Sequence, residues 1–159
     1  MTTLIAKNLG IFLQQNQIKL VTAESCTGGG LAYAITAIPG SSNWFERGFV
    51  TYSNESKQEL LGVNASTLEQ YGAVSEQTAI EMAQGALQTS HADISMAITG
   101  IAGPDGGTTE KPVGTVWFAW GTTKKIQSQL KLFQGDRESI REQAIEFALQ
   151  TLIEITPIK

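Results

Sequence analysis

Residues 94–99 read ISMAIT, an almost unbroken apolar run. A strand apolar at nearly every position has to be covered on both faces, which means a sheet with helices packed above and below it. The flanking segments supply those helices. Ala79, Met82, Ala83, Ala86 and Leu87 fall on one face of a long helix that Ser75 can cap. Ile5, Leu9, Phe12 and Leu13 repeat at helical spacing near the start. Residues 19–23 (KLVTA) predict a strand, and Leu31, Ala34, Ile35 and Ile38 predict a helix after it, stopped by Pro39-Gly40. Residues 48–52 (GFVTY) predict another strand, followed by a short helix through NESKQELL that Asn54 can cap and Gly62 ends. Beyond ISMAIT, residues 113–120 predict a fourth strand and residues 126–133 a fifth, whose alternating pattern leaves one face in solvent. A last helix after Asp136 buries Ile140, Ala144, Phe147, Ala148 and Leu152. Early alternation followed by two adjacent strands predicts an α/β fold. It is a single-domain three-layer α/β/α sandwich over residues 1–159, around a mixed, partly parallel sheet with a hairpin from strands four and five. There is no internal repeat, linker or second domain.

Composition removes several classes of function. A chain of 159 residues suits one core, and 42% hydrophobic with 16% charged residues reads as ordered. The net charge is -4, and no lysine/arginine cluster interleaves with aromatics, so nucleic acid is not an expected partner. No apolar run approaches the roughly 20 residues that span a bilayer, so no membrane partner is expected. The start lacks a secretory pattern, and a single cysteine allows no internal disulfide, which together place the protein in the cytoplasm. One cysteine and one histidine do not make a zinc site, and no metal is expected.

In open α/β sheets, ligands bind outside the carboxyl ends of parallel strands. Three stretches follow such ends: residues 24–30 (ESCTGGG), 53–57 (SNESK) and 99–107 (TGIAGPDGG). Glycines at a helix start leave amides open to a phosphate or an oxyanion, although they equally suit a plain tight turn. Neither a Walker loop nor GxGxxG is present. Cys26 would need a basic partner, and the only histidine, His91, lies at the opposite edge of the sheet, so Cys26 reads as a space-filling side chain. Ser25 can instead be activated by a neutral lysine. Topology brings Lys57 opposite it, where burial and the helix start both disfavour the ammonium form. Tyr52 closes the preceding strand and suits orienting the lysine, relaying a proton or stacking on a flat ring, or simply packing. Thr99 and Gly100 open the third loop, and Asp105 suits a Pro-Asp-Gly turn. Arg137 and Arg141 sit one turn apart and suit either a phosphate clamp or a solvated edge.

The phrases TAESCTGGG, FERGFVTYSNESKQELLGV, GAVSEQTAIEMAQGAL, ITGIAGPDGGTTEKPVGTVWF and GDRESIREQAIEFALQTL resemble, in order and spacing, the CinA carboxy-terminal domain family. The resemblance runs from about Leu20 to Leu152. It is to the stand-alone form, because no other CinA domain precedes it. It implies hydrolysis of the carboxamide of nicotinamide mononucleotide to nicotinate mononucleotide and ammonia, in pyridine nucleotide recycling, without metal or cofactor. By motif match it makes Ser25 the nucleophile and Lys57 the base. It places Tyr52, Thr27, Thr99 and Arg141 around the site, with amides at Thr27, Gly28 and Gly29 for the oxyanion. It also implies a homodimer, in which Trp44 and Phe45 suit the interface or the core. The alternatives are a non-catalytic nucleotide-binding module and an amidase for another substrate.

Overall fold

The computed structural model describes residues 1–155. Five strands form one sheet: β1 (Leu20–Glu24), β2 (Phe45–Val50), β3 (Ile94–Gly100), β4 (Thr115–Gly121) and β5 (Ile126–Leu132). Six helices surround it: α1 (Thr2–Gln15), α2 (Gly30–Thr36), α3 (Asn54–Leu61), α4 (Ala65–Tyr71), α5 (Glu76–Gln88) and α6 (Arg137–Ile155). The strand order is β2-β1-β3-β4-β5. β1 runs parallel to β2 and β3, whereas β4 is antiparallel to β3 and to β5. The mixed sheet and its terminal hairpin are those the sequence predicts.

Two separate apolar layers explain the sandwich. Side chains of α1, α2 and α6, among them Leu9, Ile35 and Ala148, pack on Met96, Ile98 and Phe118. On the other face, Leu61, Leu68, Met82 and Ala86 pack on Val21, Ala23, Ala97 and Ala119. Along β3 successive residues therefore enter opposite layers, which is why ISMAIT has almost no polar position. Burying a side chain such as Ile98 or Phe118 stabilises the fold by roughly 1.5–3 kcal/mol. The second face is lined by smaller residues, so its helices lie close. A Cβ on Gly85 of α5 would stand 1.8 Å from the Leu61 carbonyl oxygen.

Three local expectations change. β2 begins at Phe45 and ends at Val50, earlier than the stretch 48–52, because Leu20 of β1 pairs with Phe45. The cap of α3 is Ser53, not Asn54: its hydroxyl accepts the Ser56 amide at 3.0 Å. α4 was not anticipated, since its seven residues show no clear apolar stripe and bury only Thr67 and Leu68. Trp44 is core, only 1% exposed, with its ring against Gly10 of α1. Among the described residues, no helix is long and apolar enough to cross a membrane.

Candidate active site

β1 lies between its parallel neighbours, so the chain crosses to both sides of it. The carboxyl ends of β1, β2 and β3 then open on the same edge of the sheet. Ser25 follows β1 directly, and its amide donates to the Ile98 carbonyl of β3 at 2.9 Å. The backbone of the serine is thus an extension of the sheet. Thr51 and Tyr52 follow β2, and Thr99 and Gly100 close β3.

Lys57 comes early in α3 on its buried face, above Leu61, and is fully buried. Its amine lies 2.8 Å from Ser25 Oγ, 2.7 Å from the Thr51 carbonyl and 3.2 Å from the Tyr52 carbonyl. Carbonyls only accept, so two of the amine hydrogens are committed to them. In a neutral amine the lone pair is left for the Ser25 hydroxyl, which can donate. No carboxylate is bonded to the amine. Desolvation lowers its pKa from 10.5 to about 8, partly opposed by the Cys26 thiol nearby. Cys26 itself is buried, and desolvation pushes its thiol up to about 12. At neutral pH the pair beside the cleft is therefore a protonated thiol and a readily deprotonated amine. His91 stands at the amino end of β3, where its backbone amide donates to Glu46.

Beside Ser25 opens a cleft of about 280 Å³. Its walls come from Ser25 and Cys26, from Tyr52, from Ala73 and Val74, from the loop that starts at Thr99, and from Arg137. The Thr99 hydroxyl is spent on the Ala73 carbonyl at 2.8 Å, which ties the loop before α5 to β3. At Gly100 a Cβ would stand 2.7 Å from Val116, so no side chain fits there. The amides of Ala102 and Gly103 in this loop form no hydrogen bond among the described residues, so they are open donors on the cleft wall.

The first glycine loop has a different place from the one its motif implies. Thr27, Gly28 and Gly29 do not line this cleft. The Gly28 amide closes the turn onto the Ser25 carbonyl at 3.0 Å, and the Thr27 hydroxyl donates to Glu24 at 2.6 Å. Gly28 and Gly29 have φ of 57° and 96°, a region that side chains disfavour, so the turn itself calls for glycine.

The two arginines also separate. Arg141 reaches the underside of the turn, donating to the Cys26 carbonyl at 3.1 Å and the Thr27 carbonyl at 3.2 Å. Arg137 is the one on the cleft wall. It donates to the Gly103 carbonyl at 2.7 Å and to the Tyr52 hydroxyl at 3.2 Å. Tyr52 is 62% exposed, with its ring on the cleft and its carbonyl on Lys57. Asp105 is on the wall too, as the acid of that loop.

Glu24 is the residue that sequence reading passed over. It is fully buried, and its carboxylate accepts from Thr27 Oγ1 at 2.6 Å, Leu31 N at 2.8 Å and Ala32 N at 3.0 Å. The available signal was an acid ending an otherwise buried strand just before a helix start, where a carboxylate meets unpaired amides.

The chain matches the CinA C-terminal domain model over residues 2–156. It is 54% identical over 149 residues to the nicotinamide-nucleotide amidohydrolase PncC of Escherichia coli (strain K12), covering 93% of this chain and 90% of that one. The PncC of Pseudomonas putida is 48% identical, with 96% of each chain covered. Among solved structures, a CinA superfamily protein from Klebsiella pneumoniae superposes with a TM-score of 0.95 at 41% identity, over 99% of this chain and 98% of that chain. With a family model matched over nearly its whole length and relatives this similar, the chain belongs to the CinA C-terminal domain family.

Proposed function

We propose that this protein hydrolyses the carboxamide of nicotinamide mononucleotide, giving nicotinate mononucleotide and ammonia, through Ser25 and Lys57. The observation that carries the reading is the Lys57 amine 2.8 Å from Ser25 Oγ, with its two other bonds fixed on carbonyls. The substrate is the one in the names of the PncC relatives.

Neutral Lys57 takes the Ser25 proton as Oγ attacks the carboxamide carbon. The carbonyl electrons move onto oxygen, and free amides on the cleft wall stabilise that charge, the Ala102 and Gly103 amides being the open donors nearest to hand. The C–N bond then breaks. The Lys57 ammonium returns its proton to the nitrogen, which leaves as ammonia, and an ester to Ser25 remains. Water, deprotonated by Lys57, attacks the ester and frees the carboxylate and the serine hydroxyl. Arg137, rather than the turn-bound Arg141, supplies the charge for the phosphate, and Tyr52 offers its ring to the pyridinium face. Cytoplasmic location and a homodimer accompany this reading.

The test is ammonia release from nicotinamide mononucleotide in the presence of a chelator. Ser25→Ala and Lys57→Ala should abolish it, and Cys26→Ala should retain it. Turnover surviving in Ser25→Ala overturns the mechanism. A protein that binds the nucleotide and releases no ammonia is a binding module instead.

A further inference from the structure

We infer that Glu24 is a positioning residue for the reaction, holding the turn that sets Ser25 Oγ against the Lys57 amine. This rests on the Ser25/Lys57 reading above.

Glu24 is a carboxylate with no exposed surface at the end of β1, among apolar neighbours. A buried carboxylate is costly unless its oxygens are hydrogen-bonded. Here the bonds all come from the segment that follows the nucleophile. Oε1 accepts from the Thr27 hydroxyl and the Leu31 amide, and Oε2 from the Ala32 amide. No arginine or lysine is bonded to it. The carboxylate thus joins the end of β1 to the middle of the turn and to the first turn of α2. Ser25 sits inside that closed loop, with its own amide fixed on β3. Arg141 holds the same turn from its other side through the Cys26 and Thr27 carbonyls. Ser25 has one way to keep its hydroxyl 2.8 Å from Lys57, and that is for the turn to keep its shape.

A glutamine at this position fits the same space but accepts on one oxygen only. Its amide nitrogen would face either the Ala32 amide or the Leu31 amide and Thr27 hydroxyl, donor against donor. The turn has to shift to relieve that contact. A misplacement of about 1 Å at a reacting group costs on the order of 100-fold in rate.

The experiment compares Glu24→Gln, Thr27→Val and Thr27→Ser with the unmutated protein. Two readouts are taken: kcat and KM for ammonia release from nicotinamide mononucleotide, and the rate at which a fluorophosphonate labels Ser25, followed by mass spectrometry. Glu24→Gln should lower kcat about 100-fold with KM within about threefold, and slow labelling in proportion. Thr27→Val should show a smaller loss of the same kind, and Thr27→Ser, which keeps the hydroxyl donor, should restore it. If Glu24→Gln is too unstable to purify, the two Thr27 variants decide alone. Labelling and kcat unchanged in Glu24→Gln, or Thr27→Val equal to Thr27→Ser, overturn the inference. If the unmutated protein labels at Ser25 but releases no ammonia, the substrate reading fails, while the labelling rates still test Glu24. An unmutated protein inert in both assays overturns both.

Discussion

Lys57 makes the pH dependence of the reaction predictable in sign and size. Burial lowers its pKa from 10.5 to about 8. At pH 7 about one amine in ten is then neutral, against roughly one in 3,000 for an unshifted lysine, so burial raises the supply of base by about 300-fold. Because kcat/KM reports the free enzyme, it should climb nearly tenfold per pH unit from 6 to 7 and level off above about 8. Ammonia release measured from pH 6 to 10 gives the curve directly. Lys57→Arg should be inactive throughout, since a guanidinium stays protonated. The same shift acts on stability. Between about pH 8 and 10.5 the unfolded lysine holds a proton that the folded one has lost, so the Lys57 contribution to stability rises with pH across that window. The rise is on the order of 3 kcal/mol. Cys26 works in the opposite direction above its ordinary pKa of 9.0, because the folded thiol keeps its proton to about 12. The Lys57 part is therefore read as the difference between the unmutated protein and Lys57→Met, in which the thiol effect cancels. A flat kcat/KM profile, or activity in Lys57→Arg, would refute a neutral lysine as base.

Arg137→Ala should raise KM for nicotinamide mononucleotide at least tenfold, the loss expected for one charged hydrogen bond. It should barely alter turnover of a substrate without phosphate, and equal effects on both substrates would remove Arg137 from phosphate recognition. Arg141→Ala should instead lower kcat for both, because it releases the Cys26 and Thr27 carbonyls. At pH 8 the native Cys26 thiol should react with iodoacetamide about 1,000-fold more slowly than in the urea-unfolded chain, the ratio of thiolate fractions at pKa values of 12 and 9.0. Rapid native alkylation would show an exposed, ionised thiol. Gly85→Ala should lower stability by about 2 kcal/mol or more in urea denaturation, since its Cβ meets the Leu61 carbonyl at 1.8 Å. An unchanged midpoint would show that α3 and α5 part easily.

The sequence by itself determined the layers and the order of events along the chain. Burial of both faces of β3 is written in ISMAIT, and the solvated face of β5 in its alternation. Those patterns depend on periodicity, which a single segment carries within itself. Strand ends could then be found, and with them Ser25, Lys57 and Tyr52. α4 escaped because seven residues with two buried positions have no period to read. The β2 boundary escaped because it depends on pairing with β1, not on its own residues. Tertiary structure alone decided how donors and acceptors are shared. Arg137 and Arg141 look equivalent in GDRESIRE, but one meets the cleft and the other the carbonyls of a turn more than a hundred residues earlier. Thr27 and the glycines look like ligand groups, and the fold spends them on shaping the turn. Glu24 looks like a charged strand end, and only its burial against Leu31 and Ala32 shows what it holds. Hydrogen bonds are short-ranged and directional, so which partner a side chain takes follows from where distant segments come to rest, a fact no local spacing contains.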